Sequence, residues 1–415
     1  MQNTKSLAIS LIINLLVTSI FILINPIYAI VFTVIISLFI GRVNSALLGI
    51  LFVVSFALIF TNQVYFADDG DIYSYLHMYR SSELSTYSDI FILYIKNING
   101  HEFLWFYYNK FLGNISNFSM EFFVLITYTL MLSLSAIVAY LASDNGRNNF
   151  SLFLFSIVFF EMTLFNNIYD LWRTIIASLL FIIALFLSNS DKPKYLFRII
   201  MYSACFIHTT IILLVILYEV FSFFMNKKEF KVNDSLSFFK FIFILTVTIT
   251  ALLFVNKVIP YLSYYGDTFL QGYRRYSDLN LNLHFNISNY LSPIYFLIVF
   301  YFIMNYKHIK NYEAFALFAF IVCTTLPYIS NDMAMLYYRG TIAPLILLVI
   351  ISIRSLKNFH IMYTLSFVVI IFTARIFTIV SDNFPNLNLV AKGDFLNFKY
   401  GLLTSLFYYY DPIFK

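Results

Sequence analysis

Two arginines at the edges of apolar segments are the residues of this sequence whose possible chemistry is clearest. Arg173 lies near the start of an apolar segment over about 170–188, and Arg339 precedes another over about 340–353. A guanidinium beside the first amides of a helix is suited to binding an anion such as a phosphate. An arginine that only anchors its helix at a membrane boundary has the same sequence context, so both interpretations stay open at this point.

A histidine inside an apolar stretch is the next candidate. His208 lies in the run ACFIHTT, residues 204–210. An imidazole titrates near neutral pH, so a functional histidine here is a general base or a phosphate contact. A structural histidine with its hydrogen bonds satisfied is the alternative.

The placement of basic residues predicts the local structure around His208. The segments 192–198 and 227–240 are rich in lysine and arginine, which indicates that both are cytoplasmic. The chain must then cross the membrane an even number of times between them. We predict two short limbs, about 195–207 and 209–224, with His208 at the turn on the far side.

An acidic cluster follows the third apolar run. Asp68, Asp69 and Asp71 stand close together, and neighbouring carboxylates repel one another unless a cation, a proton or sugar hydroxyls hold them. Asp69 and Asp71 are therefore candidate functional carboxylates; a solvated turn that caps the next helix is the alternative. A metal site at Asp69-Gly70-Asp71 is a lesser variant of the same hypothesis.

Five further side chains are predicted to contact substrate. Glu102 stands in an aromatic run that otherwise resembles an interfacial belt, and Arg274 and Arg275 form a pair between tyrosines in a loop. Tyr75 and Tyr338 are tyrosines close to the acidic cluster and to Arg339 in sequence. A solvated loop is the alternative for the arginine pair. The sequence has no Walker loop, HExxH, GxSxG or Cys/His metal spacing, so we predict neither a metal nor a cofactor.

The composition requires that these residues be positioned by membrane helices. The chain has 415 residues, of which 61% are hydrophobic and only 11% charged, and its mean hydropathy is +0.81. A soluble protein carries about 25% charged residues, so a cytosolic enzyme, a secreted domain and a nucleic-acid binder are excluded. Apolar runs long enough or nearly long enough to span a bilayer lie at about 7–24, 27–41, 45–60, 118–141, 150–167, 170–188, 241–259, 289–305, 314–330, 340–353 and 361–380.

These runs predict an all-α, polytopic integral membrane protein with about 11–14 transmembrane helices, including the short hairpin near His208. We predict one integral membrane domain over residues 1–415, with long periplasmic loops at 61–117 and 260–288. The candidate residues then gather at the periplasmic face. A polytopic protein of this kind could also be a transporter or a lipid-linked oligosaccharide flippase, but the sequence has no internal repeat of the kind that such proteins use.

The order of three short motifs resembles the O-antigen and exopolysaccharide polymerases of the EpsG/Wzy type. The motifs are Asp71-Ile72-Tyr73-Ser74-Tyr75, then Arg173-Thr174-Ile175-Ile176-Ala177, then His208-Thr209-Thr210, followed late by Tyr338-Arg339. The resemblance covers about residues 60–340.

The resemblance implies a GT-C-like glycosyltransferase in the bacterial inner membrane, with its active site on the periplasmic face. Such an enzyme moves a growing glycan from undecaprenyl diphosphate onto a second lipid-linked repeat unit, and a chain-length regulator is an expected partner. Arg173 would hold the diphosphate and His208 would assist at the acceptor or the phosphate. Asp69 and Asp71 would align the sugar acceptor or accept its proton. Tyr75 and Tyr338 would offer flat ring faces for sugars. An O-antigen ligase, which differs only in its acceptor, is a further alternative.

Overall fold

The computed structural model describes residues 12–13, 16–20, 49–54, 56–57, 71–89, 102–143, 171–189, 194–225, 229–230, 235–265, 298–299, 301–302, 309–329 and 339–355. Almost all of these residues are helical. The longer elements are α1 (Asp71–Ser81), α2 (Phe103–Ser116), α3 (Met120–Ala142), α4 (Trp172–Ser188), α5 (Lys194–Cys205), α6 (Thr210–Phe224), β1 (Glu229–Phe230), α7 (Ser235–Tyr265), β2 (Ile309–Lys310), α8 (Asn311–Ile329) and α9 (Ile342–Ser355).

Membrane-spanning candidates occur among these helices. By length and composition alone, two helical segments in the described part of the chain can cross a membrane, Met120–Ala142 and Phe238–Val255. Shorter apolar helices include α4, α5, α6, α8 and α9. The helical, apolar character of the prediction is therefore confirmed, whereas the full number of crossings stays a prediction.

Local sequence explains where α3 begins and ends. The Ser119 hydroxyl accepts a hydrogen bond from the backbone N–H of Phe122 at 3.3 Å, so it caps the helix at its first turn. At the other end, the backbone N–H of Ser143 donates to the carbonyl of Ala139 at 3.0 Å and closes the last turn. The intervening residues are apolar enough for the helix to continue without a break over 23 residues.

The predicted hairpin around His208 is confirmed as two helices. The limbs expected at about 195–207 and 209–224 correspond to α5 and α6, and His208 lies in the turn between them. The carbonyl of Ala204 accepts hydrogen bonds from the backbone N–H groups of both Ile207 and His208 at 3.1 Å, which closes α5 sharply before the turn.

The described helices α1 and α2 lie within the segment predicted as the first long loop. The helix α1 agrees with the helical spacing of Tyr75 and Tyr79, and α2 incorporates the aromatic run after Glu102. Predicted segments that fall wholly or in part outside the described residues are 7–24, 27–41, 45–60, 61–117, 150–167, 170–188, 260–288, 289–305, 314–330 and 361–380.

The contacts divide the chain into two compact units. The first unit comprises Met1–Glu83, Leu112–Trp172 and Leu356–Lys415. The second comprises Leu84–Phe111 and Arg173–Ser355. Each unit is assembled from stretches that are separate in sequence, and the single membrane domain predicted over the whole chain stays a prediction.

In the first unit, a tyrosine ties α1 to the start of α3. Tyr79 is fully buried and its ring stacks on Phe123 at 4.3 Å between centroids. The Tyr79 hydroxyl lies 2.7 Å from the Ser116 hydroxyl and donates to the carbonyl of Ser119 at 3.1 Å. A buried phenol needs such partners, so this contact fixes how α1 packs.

In the second unit, aromatic rings join the helices. The helix α6 packs on α5, α7 and α8, while α8 also packs on α9. Phe221 of α6 contacts Phe315 and Phe318 of α8, with ring centroids 5.7 Å and 5.3 Å apart. These contacts place the Phe221 side chain of α6 in the core of the unit.

A short antiparallel ladder is the one strand pairing in the described ranges, and the all-helix prediction did not include it. Glu229 pairs with Lys310 and Phe230 pairs with Ile309. The strand β1 lies within the segment 227–240, which the charge distribution assigns to the cytoplasmic side.

Candidate functional site

A glutamate joins the predicted anion-binding arginine to the predicted base. One carboxylate oxygen of Glu102, Oε2, accepts a hydrogen bond from Nη1 of Arg173 and forms an ion pair with it. The other oxygen, Oε1, lies 2.6 Å from Nδ1 of His208. All three residues belong to the second unit. The structure therefore brings together three of the predicted site residues, and we call this group the Glu102 cluster.

Backbone contacts hold the Glu102 cluster in place. The carbonyl of Glu102 accepts the N–H of Trp105 at 3.1 Å as α2 begins. The N–H of Leu104 donates to the carbonyl of Phe206 at 3.1 Å, which links the start of α2 to the α5–α6 turn. The backbone N–H of Thr209 donates to Glu102 Oε1 at 3.3 Å, and its hydroxyl lies 3.4 Å from the same oxygen. Glu102 and His208 are thus positioned by main-chain as well as side-chain contacts.

The cluster is shielded from solvent. The side chains of Glu102, Arg173 and His208 are 7%, 12% and 2% exposed. Charges in such surroundings interact far more strongly than charges in water, and removing one partner is correspondingly costly.

Electrostatics favour a charged glutamate beside a neutral histidine. Both groups lie in connecting segments outside the apolar helices. Burial raises the pKa of Glu102, but the charge of Arg173, together with His208 and its hydrogen bond, outweighs this effect and lowers that pKa to about 2. Burial also lowers the pKa of His208; the Glu102 carboxylate opposes this shift, while Arg173 and Arg339 reinforce it.

The hydrogen bond to Glu102 selects one tautomer of His208. A carboxylate only accepts hydrogen bonds, so in a neutral ring the proton must be on Nδ1, and the lone pair must be on Nε2. Among the described residues, Nε2 is buried and has no hydrogen-bond partner. This arrangement leaves the ring able to accept a proton at Nε2.

Arg339 is the fourth predicted residue near the cluster. Its charge acts on His208, and its own side chain is partly exposed just before α9. The next residue, Gly340, lies against α8: a Cβ at this position would meet Sγ of Cys323 at 3.2 Å. The small residue therefore permits the chain to approach α8 closely at this point.

The other predicted residues are placed elsewhere or are not described. Tyr75 is buried in the first unit, where its ring stacks on Trp172 at 5.5 Å between centroids. Asp71 begins α1, but its side chain lies outside the described residues. The candidates that fall entirely outside them are Asp69, Arg274, Arg275 and Tyr338. Within the described ranges, no group of three or more His, Cys, Asp and Glu side chains is arranged to hold a metal ion.

The sequence interpretation missed one member of the site and one role. Thr209 was quoted only as the neighbour of His208, yet its backbone and its hydroxyl both contact Glu102. Both oxygens of Glu102 contact protein groups, a role that the sequence did not predict; its contact with substrate stays a prediction. The position of Thr209 directly after the histidine, at the start of a helix, was the available signal.

Comparison with known proteins gives one result. A family model, that of the EpsG family, matches residues 46–391. No match was found among curated proteins or among solved structures. Because the matched region includes most of the 415 residues and all of the described Glu102 cluster, the chain belongs to the EpsG family, which indicates a membrane protein with a polysaccharide polymerase-like function.

Proposed function

We propose that this protein is a polysaccharide polymerase of the O-antigen type, a multi-pass glycosyltransferase of the bacterial inner membrane with its active site on the periplasmic face. Its donor is a growing glycan on undecaprenyl diphosphate, and its acceptor is a second lipid-linked repeat unit. The fold would be GT-C-like, and a chain-length regulator would bind the assembled enzyme. Because the donor already carries a diphosphate leaving group, the reaction needs no nucleotide-binding fold.

The reaction exchanges one bond to the anomeric carbon for another. A hydroxyl oxygen of the acceptor sugar forms a bond to this carbon, and the bond from the carbon to the diphosphate oxygen breaks. The diphosphate leaves with the electron pair, while the hydroxyl proton passes to Nε2 of His208. The reaction therefore needs an accepting base and a cation that stabilises the leaving diphosphate.

The observation that carries this proposal is the buried cluster of Glu102, Arg173 and His208. Arg173 supplies the positive charge, and a guanidinium has five donors, enough to serve both a carboxylate and a phosphate. His208 presents Nε2 as the acceptor of the hydroxyl proton, and Arg339 contributes further positive charge nearby. Asp69 and Asp71 remain candidates for aligning the acceptor.

The test uses a deletion strain that carries the gene on a plasmid, with the surface glycan separated on a gel. Replacing Arg173 or His208 with Ala should leave a single-repeat product without longer rungs when the strains are compared at matched protein abundance, which is set by the level of expression and checked by immunoblot. The matched controls are Arg198→Ala and His77→Ala, because both of these side chains are exposed. Normal long chains from the Arg173 and His208 variants would reject the proposal, and lost attachment of an already long glycan would identify a ligase.

A further inference from the structure

Glu102 is the group of the site whose role the proposed polymerase reaction leaves unassigned. Its carboxylate does not face an open surface: one oxygen contacts Arg173, and the other contacts His208 and Thr209. It therefore lies between the group that would bind the donor diphosphate and the group that would accept the proton.

We propose, on the basis of that polymerase function, that Glu102 is a positioning residue that couples anion binding at Arg173 to proton acceptance by His208. The first part of this role is geometric. The hydrogen bond from Nδ1 of His208 to Glu102 Oε1 fixes the ring orientation and keeps the lone pair on Nε2. The backbone hydrogen bonds from Leu104 to Phe206 and from Thr209 to Glu102 hold the two segments together independently of substrate.

The second part of the role is electrostatic. Among the described residues, the charged groups that act on His208 are Glu102, Arg173 and Arg339, one negative and two positive. With both arginines unneutralised, a proton on His208 is disfavoured, and the ring is a weak acceptor. A diphosphate that binds Arg173 cancels positive charge and weakens the hold of Arg173 on Glu102. The carboxylate then acts mainly on His208, which becomes a stronger base only when the donor is in place.

This coupling has a chemical consequence. A base that is strong only beside a bound diphosphate accepts the proton of the acceptor hydroxyl at the moment when the leaving group is also stabilised. Without the donor, burial and the two arginines disfavour a proton on His208, so the ring is a weaker acceptor for the hydroxyl proton of the acceptor.

Nuclear magnetic resonance of the intact protein in detergent, with ring-¹⁵N histidine, tests the geometric part without a variant of Glu102. The chain has 6 histidines, and a His208→Gln sample identifies the signals of His208 by their loss. We expect a neutral ring protonated at Nδ1 near neutral pH. Protonation at Nε2, or a doubly protonated ring at that pH, would overturn the proposal.

Inorganic diphosphate tests the coupling in the same samples. Saturating diphosphate should raise the titration midpoint of His208 by at least about one pH unit, since a nearby charge shifts a pKa by roughly one to three units. Sodium chloride at matched ionic strength should produce a much smaller rise, as should diphosphate added to Arg173→Gln. An unchanged midpoint in saturating diphosphate would refute the coupling.

The rate profile of Glu102→Gln provides the kinetic test. Loss of the carboxylate charge lowers the pKa of His208, so the acidic limb of the pH–rate profile should shift to lower pH by at least about one pH unit. The rate on the plateau should fall roughly tenfold or more. The exposed Glu83 gives the matched control, Glu83→Gln. A merely structural role would reduce the rate but leave the acidic limb in place.

The failures of the two proposals differ. If Arg173→Ala and His208→Ala are inactive while Glu102→Gln keeps the wild-type rate and the wild-type acidic limb of the pH–rate profile, only the role of Glu102 is rejected. If Arg173→Ala and His208→Ala themselves keep the wild-type rate, the polymerase site is rejected together with it.

Discussion

The substitutions Arg173→Gln and Glu102→Gln, made singly and together, form a double-mutant cycle on the buried ion pair. Each single substitution removes one charge and leaves the other in surroundings that are mostly shielded from solvent. The double substitution leaves two amides, which can hydrogen-bond to each other, and neither position then carries a buried charge. We therefore expect the double variant to be more stable than the sum of the single effects predicts.

The contacts set the size of each effect. Glu102→Gln leaves the Arg173 guanidinium buried near His208 and Arg339, so it should lower the free energy of unfolding by about 3–5 kcal/mol. Arg173→Gln removes one charge-assisted hydrogen bond, but the carboxylate keeps its contacts with His208 and Thr209. Its cost should be about 1.5–3 kcal/mol. The free energy of unfolding that the double variant loses should be smaller than the sum of the two single losses by roughly 2 kcal/mol.

The two cysteines of the chain provide the assay. Cys205 and Cys323 are both free thiols and both buried, so a fluorogenic thiol reagent should react with them only as the protein unfolds. Thermal scans of the purified protein in detergent then give an unfolding midpoint for each variant. We expect Glu102→Gln to lower this midpoint by roughly 5 °C or more.

Additivity would refute this account of the pair. Substitutions that do not interact add within about 0.5 kcal/mol. If the midpoint shift of the double variant equals the sum of the single shifts, Glu102 and Arg173 do not stabilise each other in the folded protein. The exposed pair Glu83→Gln and Arg198→Gln, which should be additive, is the control.

Three further substitutions test other contacts. Gly340→Ala would bring a methyl group to 3.2 Å from Cys323 Sγ, so it should lower the free energy of unfolding by about 1–3 kcal/mol. In tryptophan-fluorescence melts, adding Cys323→Ala should restore part of the lost stability. If it restores none, this clash is not the cause of the loss. The pKa of Glu102 is held at about 2, below its ordinary value of 4.5, so its contribution to stability is present above about pH 4.5 and is lost as the pH falls toward 2. The difference in free energy of unfolding between wild type and Glu102→Gln should therefore narrow by about 3 kcal/mol on acidification. A difference that does not depend on pH would contradict this ionisation. Tyr79→Phe removes the hydroxyl contacts with Ser116 and with the backbone of Ser119 and should cost about 1 kcal/mol in the same melts, whereas an unchanged midpoint would show that these hydrogen bonds are not stabilising.

The helical hairpin was predictable because local signals specify it. Basic residues on both sides of an apolar stretch require an even number of crossings, and the stretch is long enough for two short limbs. The structure places α5 and α6 close to the predicted limits, with His208 between them. Charge and hydropathy are properties of the sequence itself, so no knowledge of packing was needed.

The Glu102 cluster was predictable in its members but not in its contacts. Arg173 and His208 were chosen because each is polar beside an apolar segment, and Glu102 because it interrupts an aromatic run. Arg173 and His208 lie 71 and 106 residues away from Glu102 in sequence. Such contacts depend on how α2, α4 and the α5–α6 turn pack, and no spacing rule within one element encodes that packing.

The helix α2 was missed for a related reason. Its aromatic residues satisfy the pattern of an interfacial belt as well as that of a helix face, and composition alone does not separate the two. In the structure, Trp105 and Leu112 are buried while Phe111 and Ile115 are exposed, so α2 has one packed face and one exposed face.

The central claim is that the Glu102 cluster carries out glycosyl transfer from a lipid diphosphate. The most direct measurement uses the purified protein in lipid vesicles with an undecaprenyl diphosphate-linked repeat unit, and follows the dimerised glycan and the released undecaprenyl diphosphate together. The wild type and the exposed controls Arg198→Ala and His77→Ala should form both products in equal amounts, whereas Arg173→Ala and His208→Ala should form neither. Equal amounts of both products from the wild type and from the Arg173 and His208 variants would contradict the account.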